Sequence, residues 1–544
     1  LLHLYYGDKI PDENPDYLLK GYDRGFSPNP NEAGGDRTFS LDYLPQEYST
    51  DGKGDYRIPS IEVVNKDGSQ IFSGKYAGHE IYKGKYKVEG MPSLRVASGD
   101  SVETLEVRLK DRESGVTVIL CYSVFEEKNI ITRTACLVNE GEEEIQLKKL
   151  MSMTMDFKDS DYDLITFDGR HTMEREFTRS PIQYGIHSIG SGRGTSSHQH
   201  NPFMIVCDRE AGEDHGRCYG YSLVYSGNFV MEAEKDQFKQ LRVNAGIHPG
   251  HFTFLIKPGE KFQAPEIVLA YSGSGFSRLS HLYHDIYRQN MCRSPFAKKA
   301  RPVLINSWEA AYFDFDDEKL ISIAKEAVDM GVDLFVLDDG WFGKRDDDNS
   351  GLGDWRVNRK KLKNGISGLS EEIHRLGLMF GIWIEPEMVS EDSDLYREHP
   401  DWCLKAPGRP MTRGRNQLVL DLSRRDVCDY LIAAINGILS EAQIEYVKWD
   451  MNRSITDVWS GLLPADRQRE VSHRYVLGLY YVMDEVILKH PEVIFCGCSG
   501  GGGRYDAAML YYQPQIWCSD NTDAKNRLKI QYGTSFGYPV SMLE

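Results

Sequence analysis

Glu445-Tyr446-Val447-Lys448-Trp449-Asp450-Met451-Asn452-Arg453 joins a short apolar pair to a lysine, a tryptophan, an aspartate and an asparagine. An apolar run that turns polar at its C-terminal tip has the pattern of a buried parallel strand opening into a pocket. Side chains alternate along a strand, so Lys448, Asp450 and Asn452 share one face. An ammonium at that spacing favours the ionised form of Asp450. A fixed, ionised aspartate is the starting state of a nucleophile or of a group that stabilises a cation. A surface Lys–Asp pair at a strand end is the alternative, and the surrounding chain has to decide.

Outward from this stretch, the chain after Pro302 alternates short apolar runs with amphipathic helical patterns. The runs are Val303–Ile305, Leu334–Leu337, Met379–Ile384, Leu418–Leu420, Tyr446–Val447, Val493–Phe495, Ile516–Trp517 and, weakly, Tyr538–Val540. Helical spacing lies between them at Glu318–Met330, Gly368–Leu376, Val427–Leu439 and His473–Lys489. Eight strand candidates predict a (β/α)8 TIM barrel over 302–544, with a doubly wound sheet as the other α/β solution. On that count Lys448-Trp449-Asp450 ends strand five and Trp517-Cys518-Ser519-Asp520 ends strand seven. Polar and aromatic residues close six of the runs, which is where such barrels carry their chemistry.

Before Pro302 the grammar is β. Period-two runs at Ser101–Leu109, Val116–Tyr122 and Phe252–Ile256 alternate with Gly, Asn and Asp turns, predicting a β-sandwich domain over 1–275. Helical spacing from Phe276 to Met291 and the basic segment Lys298–Arg301 predict a linker over 276–301.

The 544 residues carry a formal net charge of −18, which disfavours nucleic acid and anionic membrane as partners. No apolar run reaches the roughly 18 residues a spanning helix needs, and the first residues lack a basic-then-apolar leader pattern. The 10 cysteines are scattered, as reduced thiols are, so a soluble, cytoplasmic protein is expected.

Asp338, Asp339, Glu385, Glu387, Asp450 and Asp520 converge on one predicted mouth. Converging carboxylates bind divalent metal or do acid–base work on sugars. No histidine stands at metal spacing near the strand tips, and His198 and His200 lie in the β region as structural candidates. The Asp346–Gly351 loop lacks the glutamate a calcium loop needs, since Val357 stands in its place. The Gly500–Gly503 run carries no phosphate-loop lysine, and reads as close backbone approach to a small ligand. No metal and no cofactor are expected. The sequon Asn452-Arg453-Ser454 falls at the predicted site and is treated as chance.

Sugar hydrolysis needs two carboxyls of opposite protonation state. Asp450 has its lysine, whereas Asp520 follows Trp517 and Cys518 with no basic residue before Lys525, a setting for a proton donor. Vicinal Asp338-Asp339 suits two hydroxyls of one ring, and Trp308, Trp341, Trp383 and Trp517 offer faces to its C–H side.

Leu337-Asp338-Asp339-Gly340-Trp341-Phe342-Gly343, Gly353-Asp354-Trp355, Lys448–Arg453, Cys498–Arg504 and Gln515–Asp523 closely resemble the bacterial α-galactosidases of glycoside hydrolase family 36, as do Gly54-Asp55-Tyr56-Arg57 and Ser196–Pro202. The resemblance spans nearly the whole chain. It implies an N-terminal β-supersandwich, a catalytic barrel and a retaining exo-α-galactosidase acting on melibiose- or raffinose-type oligosaccharides. Residue by residue, it makes Asp450 the nucleophile and Asp520 the acid/base. Asp338, Asp339 and Lys448 become the ligands of the galactose 3-, 4- and 6-hydroxyls. Trp308, Trp383, Arg415, Asn452 and Trp517 fall at other pocket positions, and Cys498, Gly501 and Arg504 near the 2-hydroxyl. It further implies a homotetramer in which Arg37 reaches a neighbouring site. Relatives continue with a last helix and a C-terminal β domain, whereas this chain stops at Glu544, so a piece truncated after strand eight is expected. A galactosyl transferase of the raffinose-synthase kind and a non-catalytic sugar-binding protein are the rival functions.

Overall fold

The computed structural model describes residues 1–11, 14–19, 21–24 and 26–544. Its first half is β, as the alternating runs predict. Two antiparallel sheets carry this region. The larger runs from the Lys75–Lys83 edge through Val102–Lys110, Val116–Phe125 and Ile130–Asn139 to Glu266–Ser272, Cys218–Val224, His200–Asp208, Tyr162–Arg170 and Met173–Pro181. The smaller is built on the long strand Ile145–Phe157, flanked by Ile61–Val64 and Leu241–Ile247. Cys218–Val224 and Glu266–Ser272 are buried at every position, which is what central strands between two packed layers become.

The helix Gly275–Ile286 leaves this region and continues into a wider turn over Tyr287–Met291. Six parallel strands then form one sheet in chain order: Leu304–Asn306, Leu334–Leu337, Met379–Ile384, Tyr446–Trp449, Ile494–Gly497 and Gln515–Ile516. Helices Asp317–Asp329, Gly365–Arg375, Arg425–Glu441 and Val471–Val486 connect them, close to the predicted spans. Alternate strand residues serve two cores. Leu334, Val336, Tyr446, Ile494 and Cys496 cluster on the inner face, while Phe335, Leu337, Phe380, Ile382, Val447 and Phe495 join the main core. This is the curled sheet of a half-barrel.

Two strand predictions are corrected. Leu418–Val419 does not join the parallel sheet. It pairs antiparallel with Met388–Val389, and its neighbour Leu420 donates its N–H to the Glu387 carbonyl at 3.0 Å. Arg415 and Asn416 (φ 50° and 58°) turn the chain just before it, so its backbone groups are spent in a hairpin outside the sheet. Met379–Ile384 therefore pairs directly with Tyr446–Trp449. Tyr538–Val540 is not a strand either. Val540–Met542 forms a 3-10 turn, and only Leu543 bridges in parallel to Ile516. Pro539 supplies no N–H to a ladder there. Strand counting shifts accordingly: Asp450 follows the fourth strand and Asp520 the sixth, and Glu544 lies beside the seventh position rather than past an eighth strand.

Candidate active site

The C-terminal tips of the six strands surround a cavity of about 380 Å³, within the range of small-ligand sites, roughly 300–1,000 Å³. It is lined by Trp308, Asp338, Asp339, Trp383, Arg415, Lys448, Asp450, Asn452, Cys498, Trp517 and Asp520, all singled out in the sequence, together with Asn306, Glu309 and Thr522. A larger groove, about 1590 Å³, lies among N-terminal loops around Pro28–Glu32 and Thr50–Tyr56. It gathers charges of both signs at an open surface, whereas the smaller cavity gathers carboxyls and indoles.

Asp450 leaves the sheet where Tyr446–Trp449 ends, its N–H donated to the Ile384 carbonyl at 2.8 Å. Its carboxylate accepts from Asn452 Nδ2 at 2.8 Å, Trp383 Nε1 at 3.1 Å and the Met451 N–H at 2.9 Å. Burial alone would raise this carboxyl. The Lys448 charge, these hydrogen bonds and Arg415 outweigh it, and Asp450 ends below the usual carboxylate range. Lys448 Nζ itself pairs with Asp338 Oδ2 at 3.0 Å. Asn306 Nδ2 donates to the same oxygen at 2.6 Å. Asp339 takes a two-pronged contact from Arg345 at 3.0 and 2.8 Å, yet burial dominates and leaves its carboxyl raised. Trp308 stands under the Arg415 guanidinium at 5.9 Å.

Asp520 sits differently. It is exposed at the rim, accepting at Oδ1 from Trp517 Nε1 at 3.0 Å and meeting His171 Nε2 at 2.9 Å through Oδ2. Trp517 stands beside it as the sequence suggested, but its indole donates to an exposed carboxyl rather than burying it, and a histidine from the N-terminal region adds the second contact. No sequence signal pointed to His171, which stands 349 residues away.

Five predicted residues lie behind the wall instead of on it, among them Trp341, which is fully buried and donates its Nε1–H to the Trp383 carbonyl at 3.0 Å. Arg504 is buried, pairing with Glu387 at 2.8 Å. Glu387 also accepts from Tyr475 Oη at 2.8 Å, so it joins strands to helix and does not reach the mouth. Gly501 (φ 79°) packs so close behind the acid/base candidate that a Cβ there would lie 2.7 Å from the Asp520 nitrogen. Glu385 is fully buried beneath Asp450, taking the Asn452 N–H at 2.5 Å and the Gln417 amide at 2.8 Å. Burial and the Asp450 charge push its carboxyl up to about 8, so it is protonated at neutral pH. The glycine run also serves another purpose than ligand approach. A Cβ at Gly503 would meet the His198 ring at 2.5 Å, and His198 Nε2 donates to the Gly500 carbonyl at 2.6 Å. The glycines make room for side chains of the β region.

A parallel half-barrel whose strand tips gather several carboxyls and three indoles around one cavity is the arrangement a glycoside hydrolase needs. Residues 261–544 match the Melibiase family and residues 1–257 the glycosyl hydrolase family 36 N-terminal domain. The chain belongs to glycoside hydrolase family 36. Over its full length it is 51% identical to α-galactosidase AgaA of Geobacillus stearothermophilus, spanning 74% of that protein. It is 46% identical to α-galactosidase Mel36A of Lactobacillus acidophilus, again over 74% of the relative. The crystal structure of the Geobacillus enzyme superposes with a TM-score of 0.98, covering 100% of this chain and 75% of that one. A variant of that enzyme was crystallised with raffinose and superposes equally well at 50% identity, with the same shares of both chains covered.

Proposed function

We propose that the chain hydrolyses by double displacement with retention, Asp450 as nucleophile and Asp520 as acid/base. The chain is an α-galactosidase that releases terminal α-D-galactosyl residues from oligosaccharides of the raffinose type. The observation that carries the mechanism is the contrast between the two carboxyls facing one cavity. Asp450 is buried and held ionised, whereas Asp520 stands at the rim with access to solvent protons. Asp450 attacks the anomeric carbon as Asp520 protonates the departing oxygen. Water then enters on the vacated side, gives its proton to Asp520 and releases galactose. Asp338, Lys448 and Asp339 hold the ring hydroxyls, and Trp308, Trp383 and Trp517 cover its apolar faces. Cys498 faces the sugar from the fifth strand tip, with Arg504 and Gly501 supporting the wall behind it.

The six strands form the larger part of a (β/α)8 barrel in this proposal. The ten free, buried cysteines support a reducing, cytoplasmic setting. Assembly as a homotetramer rests on the family resemblance and is read out by light scattering. Product stereochemistry tests the mechanism: proton NMR of the first turnover of p-nitrophenyl α-galactoside shows α-galactose first. β-Galactose appearing first overturns it.

A further inference from the structure

Asp520 owes its orientation to a hairpin of the β region. The strands Tyr162–Arg170 and Met173–Pro181 pair as far as Arg170 opposite Met173, leaving His171 and Thr172 as the turn. Thr172 is held at φ 68°, a left-handed conformation that a β-branched residue adopts at a cost. The loop carrying Asp520 fixes that turn. Asn521 Nδ2 donates to the Thr172 carbonyl at 2.8 Å, and Ser519 Oγ donates to Glu174 at 2.6 Å. Arg175 reaches the Gly502 carbonyl at 2.9 Å, Thr534 Oγ1 at 2.7 Å and the Cys518 carbonyl. A strained turn built this firmly against one loop places a single ring, His171, on the Asp520 carboxyl.

Trp517 Nε1 is a donor only, so Asp520 Oδ1 acts as acceptor. A proton held by the acid is then left to the other oxygen, Oδ2, which faces His171 Nε2 at 2.9 Å. We propose that His171 is a positioning residue for Asp520, fixing its carboxyl and holding the proton of the acid/base between Nε2 and Oδ2. Resting on the assignment of Asp520 as acid/base, the proton count closes. The pair shares one proton at rest, as Oδ2–H facing a neutral ring or as carboxylate facing Nε2–H of an imidazolium. That proton passes to the leaving oxygen as the glycosidic bond breaks. The incoming water returns one as its oxygen bonds to the anomeric carbon.

The charged neighbours permit this. His198 meets the His171 ring edge-on at 5.5 Å, and burial pushes it down, so it stays neutral. Arg170 directs its guanidinium to the His171 carbonyl. Glu174 and Arg175 are occupied by the loop behind, and Arg527 lies over the Trp517 ring at 4.9 Å with its guanidinium donating to the Ser519 and Glu544 carbonyls. The His171 side chain is 57% exposed, which opens the pair to protons from water.

The experiment compares His171→Gln and His171→Ala with Asp520→Ala on melibiose, whose leaving sugar needs an acid, and on 2,4-dinitrophenyl α-galactoside, whose leaving group does not. His171→Gln is expected to lower kcat/KM on melibiose about tenfold and on the activated substrate less than twofold. The alkaline limb of the melibiose profile moves to lower pH, because the partner that helps Asp520 hold the shared proton is gone. Added imidazole restores part of the loss in His171→Ala. Equal losses on both substrates with an unmoved limb, or no loss at all, overturn the proposal. If Asp520→Ala itself does not discriminate between the two substrates, the acid/base assignment fails first, and the two failures are told apart.

Discussion

The floor and the rim of the cavity hold the same functional group in opposite circumstances. At the floor, Asp450 is gripped by residues of the half-barrel alone: Lys448 and Asn452 on its own strand tip, Trp383 on the neighbouring one. At the rim, Asp520 has one contact from its own strand tip and one from a hairpin of the β region. Fixed donors and the Lys448 charge keep the free floor carboxylate ionised until, in the proposed mechanism, it bonds to the anomeric carbon. Exposure and the His171 contact leave the rim carboxyl open to solvent, as its proposed acid/base role requires. A single fold thereby separates a carboxyl held ionised for attack from one open to solvent, the first within one structural unit and the second at a junction of two.

The difference can be broken at either end. The largest effect is expected from Asp450→Asn, which removes the proposed nucleophile and cuts turnover by on the order of 10⁴-fold or more on every substrate, whatever its leaving group. Steady-state kinetics on both melibiose and an activated galactoside check this, and a selective loss would contradict it. Next comes Asp520→Ala, with a loss of about 10²- to 10⁴-fold on melibiose and a much smaller one on activated substrates in the first step. Azide added to that variant is expected to yield α-galactosyl azide, identifiable by NMR, because the anion enters where water would.

Lys448→Met sharpens the floor. Removing the cation raises the Asp450 carboxyl, so the acidic limb of kcat/KM moves to higher pH, with a loss of about 10²-fold at neutral pH. The limb is expected to stay in place if Lys448 serves substrate hydroxyls alone. Glu385→Gln reads the layer beneath. Native Glu385, raised to about 8, binds a proton that the unfolded chain releases near its ordinary value of 4.5. Its contribution to stability is therefore complete below pH 4.5 and is lost as pH rises towards 8. The variant should show a melting temperature that falls less between pH 5 and 8. Gln417 Oε1 lacks a partner, and either a protonated Glu385 or the new amide gives it a donor when the Gln417 amide turns. The smallest change is Trp517→Phe, which keeps the ring face, loses the donor to Asp520 Oδ1 and costs about 1 kcal/mol, roughly fivefold in kcat/KM.

Much of this was visible in the sequence because it is local. Period-two runs, apolar strands and polar strand tips are contiguous signals, and they placed Asp450, Lys448 and Asn452 on one face without any neighbour's help. The pairing of strands is not local. Nothing in Leu418–Leu420 says that a turn at Arg415 and Asn416 will divert it, so the fourth strand was miscounted. Charge was read one residue at a time, and Glu385, Glu387 and Asp450 alike looked like mouth residues. Their separation into floor and foundation depends on which face of a tip each occupies and on partners as distant as Arg504 and Tyr475. The motifs of the family also mix roles. Asp354 accepts the N–H groups of Asp394 and Leu395 at a helix start, and Asp55 and Arg57 join Arg242 in a buried network, and none of them lines the cavity. His171 is the clearest omission, a turn residue whose meaning exists only once two units are packed together.

Trapping the intermediate tests the assignment most directly. A fluorinated galactosyl fluoride that forms the glycosyl-enzyme quickly and hydrolyses slowly should leave one sugar on the protein. Peptide mapping by mass spectrometry is expected to place it on Asp450. A sugar found on any other carboxylate, or an unlabelled enzyme that still turns the reagent over, would contradict the central claim.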